Sequence, residues 1–231
     1  MQIHGLNKTT LLDYPEHVAA TVFTGGCNFC CPFCHNADLV LHSGTFPTLS
    51  EEEVFAFLQK RKNVLTGVCI TGGEPTLQPD LPDFIRRVKE LGYLVKLDTN
   101  GYRPEILKAL LEEKLLDYVA MDVKNSKIKY DKTVGKENLD IVRIEESVEL
   151  LKGGNIPYEF RTTVVKELHA EADFEEIGEW IQGAGNYFLQ SYRDNDNVIQ
   201  KGFTAYTKGE MEAFVEILKK YIKRVELRGV E

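Results

Sequence analysis

Three cysteines lie within eight consecutive positions near the start of the chain, at Cys27, Cys31 and Cys34. Thiolates at this density are the ligands that zinc and iron–sulfur clusters prefer. A closed structural zinc site needs four protein ligands, whereas this spacing offers three and leaves one coordination position open. The spacing therefore favours a four-iron cluster in which one iron is free to bind a small molecule.

Two further cysteines stand outside this spacing. Cys30 is adjacent to Cys31, and we interpret it as a bystander thiol. Cys69 lies in an apolar run, and we interpret it as a small core residue. A zinc ribbon that recruits a remote fourth ligand is the alternative interpretation of the cysteine triad. Four cysteines within eight positions make a poor disulfide framework, which favours a reducing compartment and metal binding.

The composition is that of an ordinary globular protein, with 231 residues, 43% hydrophobic and 28% charged. We expect one domain over residues 1–231. The net charge of −8 argues against a general nucleic-acid-binding protein, which would normally show a basic face. We also expect a cytoplasmic protein without a membrane span, because no apolar stretch approaches the roughly 20 residues that a span needs.

Six apolar runs of strand length alternate with segments whose apolar residues recur at helical spacing. This alternation predicts an α/β fold with a parallel sheet, since strand–helix–strand connections are right-handed. Six such units are too few for a closed eight-stranded barrel, so we expect an open, partial (β/α)6 TIM-like barrel. The predicted strands are Val18–Thr24, Val68–Thr71, Tyr93–Asp98, Tyr118–Val123, Tyr158–Val164 and Tyr187–Ser191.

Four polar motifs follow the first four of these runs. The cysteine loop follows the first, Gly72-Gly73-Glu74-Pro75 the second, Asp98-Thr99-Asn100-Gly101 the third and Asp122-Val123-Lys124 the fourth. The carboxyl ends of parallel strands form the rim where α/β folds place their chemistry. Two carboxylates that converge there repel each other unless a cation or donor joins them. The sequence thus predicts a functional site at this rim.

The cysteine triad and Gly72-Gly73-Glu74-Pro75 together resemble the radical S-adenosylmethionine (SAM) enzymes. Cys34-His35-Asn36, Leu97–Gly101 and Met121–Lys124 resemble the activases of glycyl-radical enzymes within that group. The opening Thr9–Pro15 is most similar to the anaerobic ribonucleoside-triphosphate reductase activating proteins. The resemblance runs from about Gly5 to Gln190 and implies a radical SAM core.

The resemblance also implies roles for particular residues. Cys27, Cys31 and Cys34 would hold a [4Fe-4S] cluster. A monovalent-cation site would use Asp98, Thr99, Asp122 and the Ala120 carbonyl. The residues expected to contact SAM are Gly72, Gly73, Glu74, Asp98, Asp122, Lys124, Arg161 and Gln190. Simpler interpretations remain for some of them: a tight turn for Gly72-Gly73-Glu74-Pro75, a helix N-cap for Asp98 and a solvated lysine for Lys124. Arg161, in mid-strand, is expensive to bury without a partner.

In this family a reduced cluster splits SAM into methionine and a 5′-deoxyadenosyl radical. The implied function is removal of a hydrogen atom from a glycine of a partner enzyme. The first candidate for this partner is anaerobic ribonucleotide reductase. A flavodoxin- or ferredoxin-type protein would supply the electron. A pyruvate formate-lyase-type activase and a non-catalytic cluster- or zinc-binding module are the alternatives. We expect the irregular segments Asn125–Leu139 and Asp194–Thr207 to border the partner's glycine loop.

Overall fold

The computed structural model describes residues 1–230 of the chain. Their contacts divide the protein into two compact units. The first unit comprises residues 1–28 and 38–120, and the second comprises residues 29–37 and the chain from residue 121 onward. A single domain over residues 1–231, whose last residue lies outside the described part, stays a prediction.

The first unit is built on four strands that are neighbours in chain order: β1 (Ile3–Thr10), β2 (Ala19–Thr24), β3 (Gly67–Gly72) and β4 (Leu94–Thr99). β1 is antiparallel to β2, whereas β2, β3 and β4 are mutually parallel. The register places Thr21 beside Cys69 and Cys69 beside Lys96. Neighbours in a parallel register face the same side of a sheet. These three buried side chains therefore form one row.

Helices follow the strands of the first unit, and their bounds are α1 (Ala37–Leu41), α2 (Glu51–Lys60), α3 (Leu81–Glu90) and α4 (Pro104–Glu112). α2 begins with a capping box, in which Ser50 accepts from the Glu53 N–H and Glu53 accepts from the Ser50 N–H. α3 packs on β4 and buries Phe84, Ile85 and Val88. Burying each such side chain contributes roughly 1.5–3 kcal/mol, so this apolar face fixes the helix on the sheet.

The second unit contains the parallel strands β6 (Tyr158–Val164), β7 (Asn186–Ser191) and β8 (Arg224–Arg228). β5 (Tyr118–Asp122) comes before them and carries the chain from the first unit into the second. The helices are α5 (Tyr130–Val134), α6 (Val142–Gly153), α7 (Glu171–Trp180) and α8 (Lys208–Leu218). α7 packs against α8, and α8 packs on β7 and β8.

The predicted α/β class with a mostly parallel arrangement of strands is confirmed. The six predicted strands correspond to β2–β7, and every predicted end lies within one residue of the observed end. The number of strands was underestimated, because β1 and β8 were not predicted. β1 contains Asn7, Lys8 and Thr9 in place of an apolar run, and β8 alternates apolar residues with charged ones.

The predicted irregularity of residues 125–139 was wrong in part. A 3₁₀ helix at Lys127–Lys129 leads directly into α5, and Gly135 ends α5 in the left-handed region at φ 63°. The segment 194–207 contains no helix or strand, as expected. Within residues 1–230 we find no helix that is both long and apolar enough to cross a membrane.

Candidate active site

The turn after β3 lies against the chain that precedes Cys27. The Gly73 N–H donates to the Thr24 carbonyl at 2.9 Å, and the Glu74 N–H donates to the Gly26 carbonyl at 2.8 Å. A Cβ atom on Gly73 would lie 2.0 Å from the Gly26 oxygen, and Gly72 has a φ of 119°. Only glycine fits both positions, because backbone meets backbone here and one residue has left-handed torsion angles. The Gly72-Gly73 pair is therefore required by the turn itself.

The Glu74 carboxylate is buried and accepts four hydrogen bonds from within the first unit. Its Oε1 accepts from the Thr76 N–H at 3.1 Å, from the Thr76 hydroxyl at 2.6 Å and from the Thr99 hydroxyl at 2.8 Å. Its Oε2 accepts from the Asn100 N–H at 2.7 Å. Burial raises the pKa of this carboxyl, and the donors oppose the shift without cancelling it. Glu74 thus joins the turn after β3 to the turn after β4.

Cys27 lies beside two asparagine side chains of the same unit. Asn100 Nδ2 is 3.9 Å from Cys27 Sγ and donates to Asn28 Oδ1 at 2.8 Å. The Nδ2 atom of Asn28 is buried without a hydrogen-bond partner among the described residues. Sulfur atoms accept N–H donors around iron–sulfur clusters, so a thiol with an unsatisfied amide beside it suits such a group.

Asp98 forms an ion pair with Lys96, a residue that the sequence analysis did not single out. Lys96 is 1% exposed, and its Nζ also lies 3.8 Å from Cys69 Sγ. The Cys69 thiol is 3.7 Å from Asp98 Oδ1, and its complete burial confirms it as a core residue. The sequence did contain a signal for this ion pair, because Lys96 and Asp98 are two residues apart in a strand and residues i and i+2 face the same side.

In the second unit, the backbone of the cysteine loop is held from two directions. The Cys30 N–H donates to the Val134 carbonyl at the end of α5, at 2.9 Å. The Cys34 and Pro32 carbonyls accept from Ile199 and Gln200 at 3.2 and 2.8 Å. The Cys30 side chain is exposed, whereas Cys31 is buried and Cys34 is partly buried. Burial raises the pKa of the Cys34 thiol.

Asp122 at the end of β5, Lys124 just after it and Arg161 in the middle of β6 form one ionic group. Asp122 Oδ1 is 2.9 Å from Arg161 Nε, and Oδ2 is 2.8 Å from Lys124 Nζ. Burial disfavours the charged carboxylate, but the charges of Arg161 and Lys124 outweigh it and lower the pKa of Asp122 to about 2. Burial likewise opposes the Lys124 ammonium, but the negative charges of Asp122 and of the Cys31 and Cys34 thiolates outweigh it and raise the pKa of Lys124. Asp122 is thus the partner that the half-buried Arg161 requires.

The backbone of Lys124 is fixed on both sides by residues that the sequence did not identify. Its N–H donates to the Tyr130 hydroxyl at 3.1 Å, and its carbonyl accepts from His169 Nε2 at 2.8 Å. His169 Nδ1 lies 3.1 Å from both the backbone nitrogen and the carbonyl oxygen of Val165. The structural role expected for His169 is confirmed. No sequence signal could find this contact, because 45 residues separate the two partners.

The remaining predicted residues are placed as follows. Thr99 ends β4, Ala120 lies within β5, and Gln190 is the penultimate residue of β7, in register with Thr163 and Arg228. Across residues 1–230, no group of three or more His, Cys, Asp or Glu side chains is arranged to hold a metal ion. Ligation by Cys27, Cys31 and Cys34 therefore stays a prediction that rests on their spacing.

Comparison with known proteins identifies relatives over almost the whole chain. A family model described as the Radical SAM superfamily matches residues 21–181. A protein of Methanocaldococcus jannaschii named "Putative glycyl-radical enzyme activating enzyme" is 34% identical over 234 residues, which cover 99% of this chain and 96% of that protein.

Two solved structures share the fold. A domain of a pyruvate-formate lyase-activating enzyme from Bacteroides vulgatus aligns with a TM-score of 0.58 and 19% identity, covering 71% of this chain and 99% of that domain. Streptococcus suis SuiB bound to S-adenosylmethionine aligns with a TM-score of 0.70 and 15% identity, covering 89% of this chain and 49% of SuiB. At these identities the two structures are evidence for the fold alone.

Proposed function

Because this chain belongs to the radical SAM superfamily, we propose that it is the activase of a glycyl-radical enzyme. The observation that carries the proposal is the 34% identity to the Methanocaldococcus jannaschii protein over nearly the full length of both chains. The chain is a radical SAM enzyme, and the proposal concerns the target on which it acts.

The proposed cluster ligands are Cys27, Cys31 and Cys34, supported by their spacing and by the unsatisfied Asn28 amide beside Cys27. When bound, a [4Fe-4S] cluster supplies the single electron that splits the sulfonium bond of SAM. The chain's own residues would bind and orient SAM and exclude water. The residues proposed for this task are Gly72, Gly73, Glu74, Asp98, Asp122, Lys124, Arg161 and Gln190.

The structure supports different tasks for these residues. The two glycines would let the backbone approach SAM closely, and Glu74 fixes their turn through its four hydrogen bonds. Lys124 and Arg161 present positive charge, which suits the SAM carboxylate, and Asp122 holds both in place. Gln190 offers an amide that can pair with a nucleobase edge.

A monovalent cation bound by Asp98, Thr99, Asp122 and the Ala120 carbonyl is a further part of the proposal. Each carboxylate already contacts a basic side chain of its own unit, so the cation would share Asp98 with Lys96 and Asp122 with Lys124. Activity that is equal in sodium, potassium and a bulky organic cation would remove this site from the proposal.

The proposed partner is anaerobic ribonucleotide reductase, with a flavodoxin- or ferredoxin-type protein as electron donor. Support for the reductase comes from the resemblance of Thr9–Pro15 to its activating proteins. The SAM-derived radical would take one hydrogen atom from the target glycine, which yields 5′-deoxyadenosine and a glycyl radical. An encounter of this kind is transient, and we expect an interface under about 1,200 Å².

The test combines anaerobically reconstituted, reduced protein with SAM and purified anaerobic ribonucleotide reductase. We expect a glycyl-radical doublet in the electron paramagnetic resonance spectrum together with formation of 5′-deoxyadenosine. Pyruvate formate-lyase serves as the second substrate in a parallel reaction. A radical on pyruvate formate-lyase alone would transfer the assignment to that class of activase. If the reconstituted protein holds an intact cluster but does not cleave SAM, the remaining interpretation is a cluster-binding module without catalytic activity.

A further inference from the structure

Asn28 and Asn100 make side-chain contacts around Cys27 to which the proposed function assigns no chemical task. Asn28 follows Cys27 directly, whereas Asn100 comes from the turn after β4, 72 residues away from Asn28. Asn100 Nδ2 donates to Asn28 Oδ1 at 2.8 Å and lies 3.9 Å from Cys27 Sγ. The two amides therefore form a pair beside one of the three proposed cluster ligands.

The orientation of the Asn100 amide is fixed by its own neighbours. Its Oδ1 accepts a hydrogen bond from the Tyr102 N–H at 3.0 Å, so its Nδ2 is the atom that faces Asn28 and Cys27. The backbone N–H of the same residue donates to Glu74 Oε2 at 2.7 Å. Asn100 is thus held from two sides, and its position is set by the turn that also carries Thr99.

The Asn28 amide is fixed in turn, because its oxygen accepts from Asn100. Its Nδ2 is then buried without an acceptor among the described residues. A buried donor that stays unsatisfied costs roughly 1–3 kcal/mol, and folded proteins contain few of them. The orphaned N–H group indicates an acceptor that the protein itself does not supply.

It is the Oδ1 atom of Asn28 that lies 4.0 Å from Cys27 Sγ. We propose that Asn100 donates an N–H···S hydrogen bond to Cys27, that the unsatisfied Asn28 N–H donates to another sulfur atom of the cluster, and that the two bonds together set the reduction potential. The proposal rests on the proposed function, since it needs a cluster held by Cys27. Donors to the sulfur atoms stabilise the reduced state, which carries one more negative charge, and so raise the potential. The reduction potential must be high enough for the electron donor to reduce the cluster and low enough for the reduced cluster to transfer its electron to SAM. In this proposal the two amides set this balance.

The experiment measures the midpoint potential of the reconstituted cluster by a redox titration followed by electron paramagnetic resonance. Asn28→Ala and Asn100→Ala should each retain about four irons per chain and shift the midpoint to a more negative value. Asn28→Asp should shift it further, because the carboxylate keeps the shape but replaces an N–H donor with a negative charge. The midpoint potential of the double alanine variant should shift by less than the sum of the two single shifts, because each amide orients the other.

Asn100→Ala also separates tuning from SAM binding. The variant keeps its backbone N–H and hence the bond to Glu74, so its affinity for SAM should stay at the wild-type value. Asn63→Ala, which removes an exposed amide from the same unit, is the control and should leave the potential unchanged. Wild-type potentials in the Asn28 and Asn100 variants would overturn the inference, as would a loss of SAM affinity without any shift. Failure of the wild-type protein to hold a cluster would refute the proposed function instead.

Discussion

At the level of single residues, Asp122 is the group in the candidate site whose contribution to stability depends most on its charge. Its two oxygens contact Arg161 and Lys124, and these two charges lower its pKa to about 2. A carboxylate with a lowered pKa stabilises the folded state fully above its unfolded pKa of 3.8, and the contribution is lost as the pH falls through the folded pKa.

Asp122→Asn should therefore destabilise the protein at neutral pH by roughly 1.5–3 kcal/mol, the value of a hydrogen bond to a charged group. The difference from the wild type should be constant above about pH 5 and should shrink between about pH 4 and pH 2. Urea unfolding across this range measures it, with the exposed Asp38→Asn as the control. A difference that persists unchanged to pH 2 would show that the charge of Asp122 is not the source of the stabilisation.

The five cysteines divide into three predicted ligands and two others. Cys30 is exposed, and Cys69 is buried beside Lys96 and Asp98. Cys30→Ala and Cys69→Ala should each keep about four irons per chain after anaerobic reconstitution, whereas alanine at Cys27, Cys31 or Cys34 should abolish the cluster. Iron analysis and the visible absorption spectrum measure this. Equal loss of iron in the Cys30 variant would mean that the ligands were assigned wrongly.

At the level of elements, the buried strands were the most predictable part of the chain. β2–β7 are apolar runs of strand length, so their pattern identified them to within one residue. β1 and β8 escaped because half-polar strands have no distinctive composition. The five-residue α5 escaped for another reason. A helix of one turn is unstable alone, and α5 is held by a contact with a residue outside it, since its Tyr130 hydroxyl accepts from the Lys124 N–H.

The junction between α5 and the cysteine loop gives a test at this scale. Gly135 has a φ of 63°, and a Cβ atom there would lie 2.5 Å from the Cys30 carbonyl oxygen. Gly135→Ala should strain the backbone by about 1–2 kcal/mol and also displace the cysteine loop, so that reconstitution yields less iron than in the wild type. Chemical denaturation and iron analysis measure the two effects.

Gly183→Ala is the matched control for this variant. Gly183 has a φ of 85°, so alanine meets a comparable backbone strain, but a Cβ atom there has nothing within 4 Å. This control should lose stability while keeping its full iron content. Equal iron content in the two variants would show that the α5 junction does not position the cysteine loop.

For the molecule as a whole, the sequence predicted where the four motifs lie relative to the strands, but not the contacts that hold them. The four motifs follow β2–β5 as the alternation of strands and helices predicted. The partners of those motifs were beyond reach, because Asn28 meets Asn100, and Lys124 meets His169, across long stretches of chain. Such pairs depend on the three-dimensional register, which one sequence does not encode in any local pattern.

Binding of a cluster should be visible in the stability of the whole protein. A ligand that binds only the folded state stabilises it by mass action, and thiolate ligands are not preformed in an unfolded chain. Anaerobically reconstituted protein should therefore unfold at a higher temperature than the same protein after removal of iron by a chelator. Differential scanning calorimetry measures the shift. A Cys31→Ala protein with the same increase would disprove ligation by this residue.

The exposure of Cys30 has a consequence for handling the protein in air. It is the one exposed cysteine among residues 1–230, and accessible thiols are the first to oxidise. Two chains should become cross-linked through this position, giving a dimer on a non-reducing gel that dithiothreitol converts back to monomer. Cys30→Ala should stay monomeric under the same conditions. The substitution would thus yield a more uniform preparation, and a cysteine-directed reporter dye would attach first at this point in the unsubstituted chain.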